Sequence, residues 1–207
     1  MNISFCIGNG ESRRSFDLER VKPYGTMYGA NAIHRDTTVD HLVCCDQRMV
    51  KEAMFNNYAG PIYTRDRWYT DFATPQVKPL PDFNWVQDQK FTQTFHWGSG
   101  LHAVHLACRQ GANICVMIGH DFYGIDDKHN NLYKATPNYE SAEYRAVDPS
   151  FWIRQFGMLF AYFPRTTFIF CQPDIKTWTV PYEWDNLPMV VLQSTEDMIN
   201  DLHLTQG

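Results

Sequence analysis

The 207-residue sequence lacks the patterns that mark several common classes of protein. It has no C-x-x-C pair, no H-E-x-x-H and no carboxylate spaced to complete a metal site, so no metal is predicted. No basic run accompanies the formal net charge of −5, which disfavours duplex nucleic acid as a partner. No apolar run approaches the ~18 residues of a membrane span, and no signal-peptide pattern begins the chain. We therefore expect a soluble, cytoplasmic protein whose six cysteines are buried, reduced thiols.

Short apolar strands alternate with helical segments along most of the chain. The clearest strand covers residues 112–118 and is apolar at almost every position, as expected for a strand buried on both faces of a parallel sheet. Helical segments are predicted at 47–55, 101–110 and 149–163. This alternation predicts a single Rossmann-like α/β domain over residues 1–207, with a mostly parallel sheet covered on both faces.

Three segments carry unusual apolar or aromatic content. Residues 64–97 hold three prolines and eight aromatic residues without a clear period, which predicts an aromatic-rich insertion or lid rather than disorder. Residues 174–207 form a tail whose strand pairing the sequence does not predict. The helix at 149–163 is apolar nearly all round, which favours a core position or a subunit contact, and hence a homo-oligomer.

Two histidines lie within the predicted helix 101–110. His102 and His105 are three residues apart and continue a polar stripe that reaches Arg109, whereas the apolar residues occupy the other side of the helix. We therefore expect both histidines to face solvent rather than to bind a metal.

Glycine and polar residues follow the predicted strands, where parallel sheets bind their ligands. Position 13 is arginine, so the first glycine turn is not G-x-G-x-x-G and a dinucleotide site is not predicted. That turn is either a tight turn or a phosphate site, made of open backbone N–H groups and a short helix that Ser12 begins. The Gly98-Ser99-Gly100 turn has similar alternatives. The groups at strand ends are Gly8-Asn9-Gly10, Asn31, Asp46 and Gly119-His120-Asp121-Phe122-Tyr123.

His120 follows the most apolar strand and directly precedes Asp121. A histidine at this position is a ligand contact or a general base, or it packs at the edge of the sheet without a chemical role. The sequence alone leaves these alternatives open.

Taken together, the clusters resemble the bacterial sialyltransferases of the Campylobacter type and a related family of unknown function that includes the archaeal pterin diphosphokinase. The resemblance covers roughly residues 1–50 and 98–170, and the small, aromatic-rich sequence also looks like uncharacterised proteins of tailed phages. The motifs that carry it are Ile7-Gly8-Asn9-Gly10-Glu11-Ser12, Gly29-Ala30-Asn31-Ala32, Gly98-Ser99-Gly100 and Ile118-Gly119-His120-Asp121-Phe122-Tyr123.

The resemblance implies metal-independent, inverting transfer from a cytidine-monophosphate sugar, with no further cofactor. By this resemblance Asn9 and Gly10 approach the phosphate and sugar, Asn31 binds the donor, and Ser99 contacts the sugar carboxylate. Gly119, Asp121 and Phe122 would then frame the ribose and base. A tyrosine hydroxyl, from Tyr139 or Tyr144, would support the departing phosphate while a base takes the acceptor proton.

The chain departs from the family pattern at two places. Glu11 stands where the family has proline, and residues 146–150 contain no counterpart of the family's catalytic histidine, so His120 or His129 would have to replace it. Either histidine can do so only if the loop folds inward. The alternatives are a non-catalytic nucleotide binder, a phage virion or accessory protein, and pyrophosphate transfer with Mg²⁺ held by Asp46 and Asp121.

Overall fold

The computed structural model describes residues 1–83 and 97–204, and its strands form one sheet. The strands are β1 (Ile3–Ile7), β2 (Thr26–Ala30), β3 (His41–Val43), β4 (Ile62–Thr64), β5 (Val77–Pro79), β6 (Ile114–Ile118), β7 (Thr167–Gln172) and β8 (Val190–Ser194). The helices are α1 (Gln47–Phe55), α2 (Asp66–Tyr69), α3 (Ser99–Arg109), α4 (Ser150–Tyr162) and α5 (Thr195–Leu204).

The sheet has the order β5-β4-β3-β2-β1-β6-β7-β8, and every neighbouring pair of strands is parallel. The chain builds outward from β1 in one direction through β5, then returns to the other side of β1 with β6. The order of strands therefore reverses between β1 and β6, which leaves a crevice beyond their carboxyl ends. The predicted α/β domain with its parallel sheet is confirmed.

Both faces of the sheet are covered, because alternate residues of each strand point to opposite sides. Cys6 packs in the core beneath α3 and α4, whereas Phe5 and Ile7 pack in the second core, with α1 and α5. Each fully buried side chain of this size contributes on the order of 1.5–3 kcal/mol to folding. The six cysteines are buried free thiols, as predicted.

The two aromatic-rich segments contain more regular structure than their sequences suggest. Within 64–97 the described residues form α2 and the edge strand β5, while Trp85, Phe91 and Phe95 lie outside the described residues. The tail contributes β8, which pairs with β7, and α5. These short strands were not recognisable, because their flanking prolines and tryptophans obscure any alternating pattern.

Aromatic contacts from distant segments overturn the expectation for the two α3 histidines. His102 and His105 are fully buried, because the Phe83 ring lies over both, with ring centroids 4.8 and 4.4 Å away. Phe163 covers His105 from the other side. Burial, together with the nearby Arg109 charge, lowers the pKa of His105 to about 3. The prediction that these histidines face solvent is therefore wrong.

Helix α4 buries one face rather than its whole circumference. Ile153, Phe156 and Phe160 are buried, and the Trp184 ring from the tail packs against both phenylalanines. Phe151 and Tyr162 remain partly exposed. A core position accounts for most of the apolar surface of this helix, and the homo-oligomer stays a prediction.

Candidate functional site

The turns after β1 and β6 meet at backbone distance, which requires glycine in both. The Gly8 N–H donates to the Ile118 carbonyl (2.8 Å), and the Gly10 N–H donates to the Gly119 carbonyl (2.9 Å). A Cβ atom on Gly8 would lie 2.3 Å from the Gly119 carbonyl oxygen. Gly119 itself has a φ of +73°, a conformation that other residues rarely adopt. Each glycine therefore fixes how closely the two turns approach.

Several N–H groups of the first turn, which the sequence predicted to be open for a phosphate, have partners within the protein. The Asp121 carboxylate accepts hydrogen bonds from the backbone N–H and the hydroxyl of Ser12, and the Asn130 side chain accepts from the Glu11 N–H (2.8 Å). A Cβ atom on Gly10 would collide with the same Asp121 carboxylate. A side-chain anion of the protein thus binds this turn at Ser12, and a phosphate contact at Asn9 and Gly10 stays a prediction.

The helix expected after this turn is also absent from the described structure. Ser12 lies inside a three-residue 3₁₀ helix (Glu11–Arg13), followed by two more of the same length. The Asp17 side chain accepts from the Glu19 N–H and caps the second of these, while Pro23 lies in the third. The prediction that Ser12 begins a helix is wrong because these local caps divide the segment.

Arg13, which removes the dinucleotide motif, is a structural residue of the turn. Its side chain is buried, and its Nε donates to the Gly8 carbonyl (2.7 Å). Its other nitrogens bind the Asp36 carboxylate and the Tyr133 hydroxyl (2.7 Å). The sequence showed that a glycine was missing here, but it gave no sign of this replacement contact.

A cleft of about 270 Å³ opens beyond the carboxyl ends of β1 and β6. Most of the residues that the sequence singled out line it. Four of the candidate site residues do not: Asp46, which is exposed at the start of α1, Ser99, which lies behind the wall, Tyr139, and the exposed Tyr144. The predicted residues that line the cleft are Gly8, Asn9, Gly10, Asn31, Gly119, His120, Asp121, Phe122, Tyr123 and His129.

Asn31 presents a fixed side chain to the cleft. Its backbone has a φ of +51°, which asparagine tolerates better than most residues. The Ser99 hydroxyl donates to its Oδ1 (2.8 Å) and accepts from the Cys45 N–H (3.0 Å). Because Oδ1 already accepts from Ser99, which fixes the orientation of the amide, Nδ2 is the donor that the side chain offers to a ligand. Ser99 therefore acts as a positioning residue for Asn31.

Asn9 is held from the other side. Its Nδ2 donates to the Tyr139 hydroxyl (3.2 Å), which also accepts from the Ala32 N–H (3.4 Å). Asn9 Oδ1 has no hydrogen-bond partner among the described residues, although it is buried. A buried carbonyl oxygen normally has a partner, so a donor group from a ligand or water suits this position. Burial raises the pKa of Tyr139, so its hydroxyl stays protonated.

The polar loop between β6 and α4 folds back over the cleft. The Leu132 N–H donates to the Asn9 carbonyl (2.8 Å), and Asn130 binds the first turn as described above. This inward fold places His129, Asn130 and Asn131 in the lining. The condition under which His129 could replace the missing histidine is met. The sequence identified neither asparagine, because the loop shows no periodicity that would predict its path.

The two histidines of the cleft differ in exposure. His120 is buried, and burial lowers its pKa to about 4 despite a hydrogen bond to the Cys6 backbone. His129 is only half-buried, and burial again lowers its pKa from the usual 6.5. Both imidazoles are therefore neutral at pH 7. His129 is the better placed of the two to exchange a proton with a ligand in the open cleft.

The N-terminus of α3 forms part of the cleft wall. Gly98, Gly100 and Leu101 line the cleft, and Gly98 makes no side-chain cap because it has no side chain. The first N–H groups of a helix have no partner within the helix, and the helix dipole makes this end positive. Among the described lining residues there is no lysine or arginine. This helix end is therefore the most positive feature of the described wall.

Aromatic rings form the remaining wall. Phe122 has a φ of +61°, and its ring contacts Phe156 and Trp184 edge-on, with centroid distances of 5.2 and 5.5 Å. Trp152 from α4 also faces the cleft. A φ in this region is costly for phenylalanine and persists because the surrounding rings hold the side chain. These contacts hold the Phe122 ring in its place in the wall.

Glu11 and Asp46 are two acidic side chains that the sequence connects with an anion or a metal at this site. Burial would raise the pKa of Glu11, but hydrogen bonds from Lys134 and Arg14 outweigh it and hold that pKa below its usual range. Glu11 does not line the cleft. Asp46 does not line it either, so the structure does not join Asp46 with Asp121. Within residues 1–83 and 97–204, no group of three or more histidine, cysteine or acidic residues could hold a metal ion.

Fold and site together define a doubly wound α/β protein with a cleft at the reversal of strand order. Solved sialyltransferase structures share this fold. An alanine variant of the sialyltransferase CST-II in complex with CMP superposes with a TM-score of 0.59 at 13% identity, over 98% of both chains. A second variant, of the α-2,3/8-sialyltransferase CstII, gives 0.54 at 16% identity over 97% of this chain and 99% of the other.

CstII from Campylobacter jejuni in complex with the substrate analogue CMP-3FNeuAc gives a TM-score of 0.51 at 17% identity, over 84% of this chain and 82% of that one. No protein-family model matches the sequence, and no curated protein matches it. The predicted likeness to sialyltransferases therefore holds at the level of the fold. The likeness to the pterin enzyme and to phage proteins stays a prediction.

No described helix has the length and apolar character needed to cross a membrane.

Proposed function

We propose that the cleft binds a cytidine-monophosphate sugar and transfers its sugar to an acceptor hydroxyl with inversion, without a metal. One observation carries the proposal. The Asn31 amide, fixed by Ser99, and the N-terminus of α3 converge on a cleft at the carboxyl ends of β1 and β6. The solved structures with the same fold include complexes with CMP and with a CMP-sugar analogue, which supports this choice of ligand.

The wall suggests how such a donor would be held. Its phosphate would lie at the start of α3, where helix N–H groups favour an anion. The Asn31 Nδ2 and the unpartnered Asn9 Oδ1 offer one donor and one acceptor to the ribose or base. Phe122 and Trp152 offer apolar faces. A single helix end, with no cationic side chain in the described wall, suits a monophosphate ester better than a more highly charged group.

His129 is the proposed general base. The acceptor oxygen forms a bond to the anomeric carbon while the bond from that carbon to the phosphate oxygen breaks. The electron pair leaves on the phosphate, and the hydroxyl proton passes to the neutral His129 imidazole. Because the pKa of His129 is lowered, we expect the acid limb of the pH–rate profile to lie below pH 6.5. His120 is too deeply buried for this role, and Tyr144 does not line the cleft.

The test is the release of CMP from a panel of CMP-sugars, followed with and without acceptor sugars. His129→Gln should lower turnover by about 10²-fold or more, as loss of a general base does, and should still bind CMP. His203→Gln is the matched control, because His203 is exposed on α5, away from the cleft. Failure of every CMP- and UDP-sugar to bind the wild-type protein would reject the proposal.

A non-catalytic nucleotide binder is the second candidate. The observation that favours it is the absence of a histidine in residues 146–150, combined with the strongly lowered pKa of His120. This alternative expects tight binding and recovery of the nucleotide unchanged. Chemical analysis of the nucleotide after prolonged incubation separates the two candidates. If the wild-type protein converts more of the nucleotide than the His129→Gln variant does, the non-catalytic binder is excluded.

A further inference from the structure

A second cavity of about 310 Å³ lies beside the cleft. The two share Asp121, Tyr123, Gly124 and Asn130 as lining residues, so they are neighbours across one short segment of chain. The far wall of the second cavity is formed where β7 ends, at Gln172, and by the turn that follows it. None of the site predictions from the sequence assigned a role to that wall.

Two aromatic rings form the apolar part of this cavity. Tyr123 and Trp178 lie with their ring centroids 6.4 Å apart and their planes tilted by 55°. Trp178 is fixed, because its indole N–H donates to the Asp121 carbonyl (2.8 Å) and its ring stacks on Phe170 at 5.3 Å. Trp178 is only 7% exposed, so the Tyr123 ring, which is 36% exposed, offers most of the aromatic face. Such a face suits the flat C–H surface of a sugar ring.

Gln172 provides the polar part. The residue is only 3% exposed, yet its side-chain amide makes no hydrogen bond to any residue in the ranges 1–83 and 97–204. The amide group is therefore open to the cavity, where it offers a donor and an acceptor to a ligand. Thr177 adds a hydroxyl whose own proton is donated to the Asp174 carbonyl (2.8 Å), so its oxygen can still accept. The neighbouring hydroxyl groups of a sugar can both accept from the amide donor and donate to these acceptor oxygens.

Charge limits what the cavity accepts. The acidic side chains in its described wall are Glu11 and Asp121, and no described lysine or arginine lines it. The Lys134 and Arg14 side chains reach Glu11 from outside this lining. Because those two cations offset the Glu11 charge, Asp121 is the carboxylate that disfavours an anionic ligand, whereas a hydroxyl group of a ligand can donate to it.

We propose that the second cavity is the acceptor subsite and that it holds an uncharged sugar, between Tyr123, Trp178 and Gln172. That this sugar is an acceptor rests on the proposed function, because only a transferase would use it so. Binding of the sugar itself does not require a donor. The shared wall at Asn130 and Tyr123 places such a sugar next to the cleft, where one of its hydroxyls would meet the donor. Transfer then follows the bond changes described for His129.

The experiment is ligand-observed saturation-transfer NMR on the full chain, with methyl β-galactoside, methyl glucoside, lactose and methyl glucuronide as probes, each with and without CMP. We expect the uncharged sugars to bind and the glucuronide to bind at least tenfold more weakly. Gln172→Leu should weaken sugar binding at least tenfold. Gln193→Leu is the matched control, because Gln193 lies on the neighbouring strand and its amide binds Asp201 at the surface.

Thr177→Val is a second variant, on an exposed turn, which keeps the test decisive if Gln172→Leu does not fold. We expect it to weaken sugar binding severalfold. The inference is overturned if the wild-type protein binds none of the sugars, if Gln172→Leu or its substitute binds as well as Gln193→Leu, or if the glucuronide binds best. Failure to bind CMP alone counts against the proposed function only, because the sugar measurement without donor still decides the second cavity.

Discussion

The turn after β1 and the start of α3 looked alike in sequence, yet they differ in the structure. Both contain paired glycines next to a serine and both precede a predicted helix. In the first turn, Gly119, Asn130 and Asp121 occupy the backbone N–H groups. The start of α3 is a true helix end that faces the cleft. Glycine-rich turns therefore predict an anion site only where no other part of the protein already satisfies the N–H groups.

The largest effect should come from adding one methyl group to the closed turn. Gly8→Ala would place a Cβ 2.3 Å from the Gly119 carbonyl, so the two turns would have to separate. We expect a loss of about 3 kcal/mol or more in the free energy of unfolding, measured by urea titration. Gly98→Ala is the control, because its Cβ would meet nothing within 4 Å. That variant should stay within about 1 kcal/mol of wild type. If both variants lose the same free energy of unfolding, the predicted difference between the two turns is contradicted.

Removing the internal anion should open the closed turn to external anions. Asp121→Ala leaves the Ser12 N–H and hydroxyl without their acceptor, which we expect to cost about 2–3 kcal/mol. Added sulfate should then raise the Tm of Asp121→Ala more than that of wild type. Asp17→Ala is matched, since the Asp17 side chain also accepts from a backbone N–H in a 3₁₀ turn, but at the surface. If sulfate stabilises both variants alike, Asp121 does not occupy an anion site.

A smaller effect is expected when a negative charge is placed beside the open turn. Asn31→Asp keeps the size and the tolerance of positive φ but replaces the Nδ2 donor with a carboxylate oxygen. CMP affinity should fall at least about tenfold, which corresponds to about 1.4 kcal/mol by calorimetry. Asn57→Asp is the control, because Asn57 has a similar φ of +56° and is exposed away from the cleft. Unchanged affinity of Asn31→Asp would remove this residue from the proposed site.

The smallest effect concerns Glu11 and depends on pH. Its pKa is lower in the folded protein than the usual 4.5, so its contribution to stability is present above pH 4.5 and is lost as the pH falls through the lowered value. Glu11→Gln should therefore lower the free energy of unfolding at pH 7 by no more than about 1 kcal/mol, which appears as a small fall in Tm. The difference from wild type should shrink with falling pH. A constant difference would mean that its ion pairs with Lys134 and Arg14 contribute nothing.

The sequence predicted the sheet and much of the cleft because both depend on local patterns. Apolar strands followed by glycine and polar residues identified β1 and β6 and their ends correctly, and those ends meet. Contacts made by distant segments could not be predicted in the same way. Phe83 buries His102 and His105 from outside the helix, and Asp121 fills the turn at Ser12 from more than a hundred residues away.

The polar loop illustrates the same limit within the site. Asn130 and Asn131 line the cleft because Arg13, Asn9 and Glu11 make contacts that pin this loop. A sequence without periodicity gives no sign of such a path, although it contains the side chains that would contact a ligand. Ser99 lies behind the cleft wall rather than in it, and its predicted contact with a ligand stays a prediction. The structure shows its hydroxyl binding Asn31 instead.

The pairing of β1 with β6 has a consequence for synthesis. Ile3 pairs with Ile114, so the edge of β1 that faces β6 has no partner until about 110 further residues have been synthesised. At ribosomal rates of about 5–20 residues per second, this delay is roughly 6–22 seconds. During that time one edge of β1 is unpaired, and the two halves of the cleft do not yet exist. We therefore expect a chain released before residue 118 to aggregate, and a nascent chain to need protection of that edge until β6 emerges.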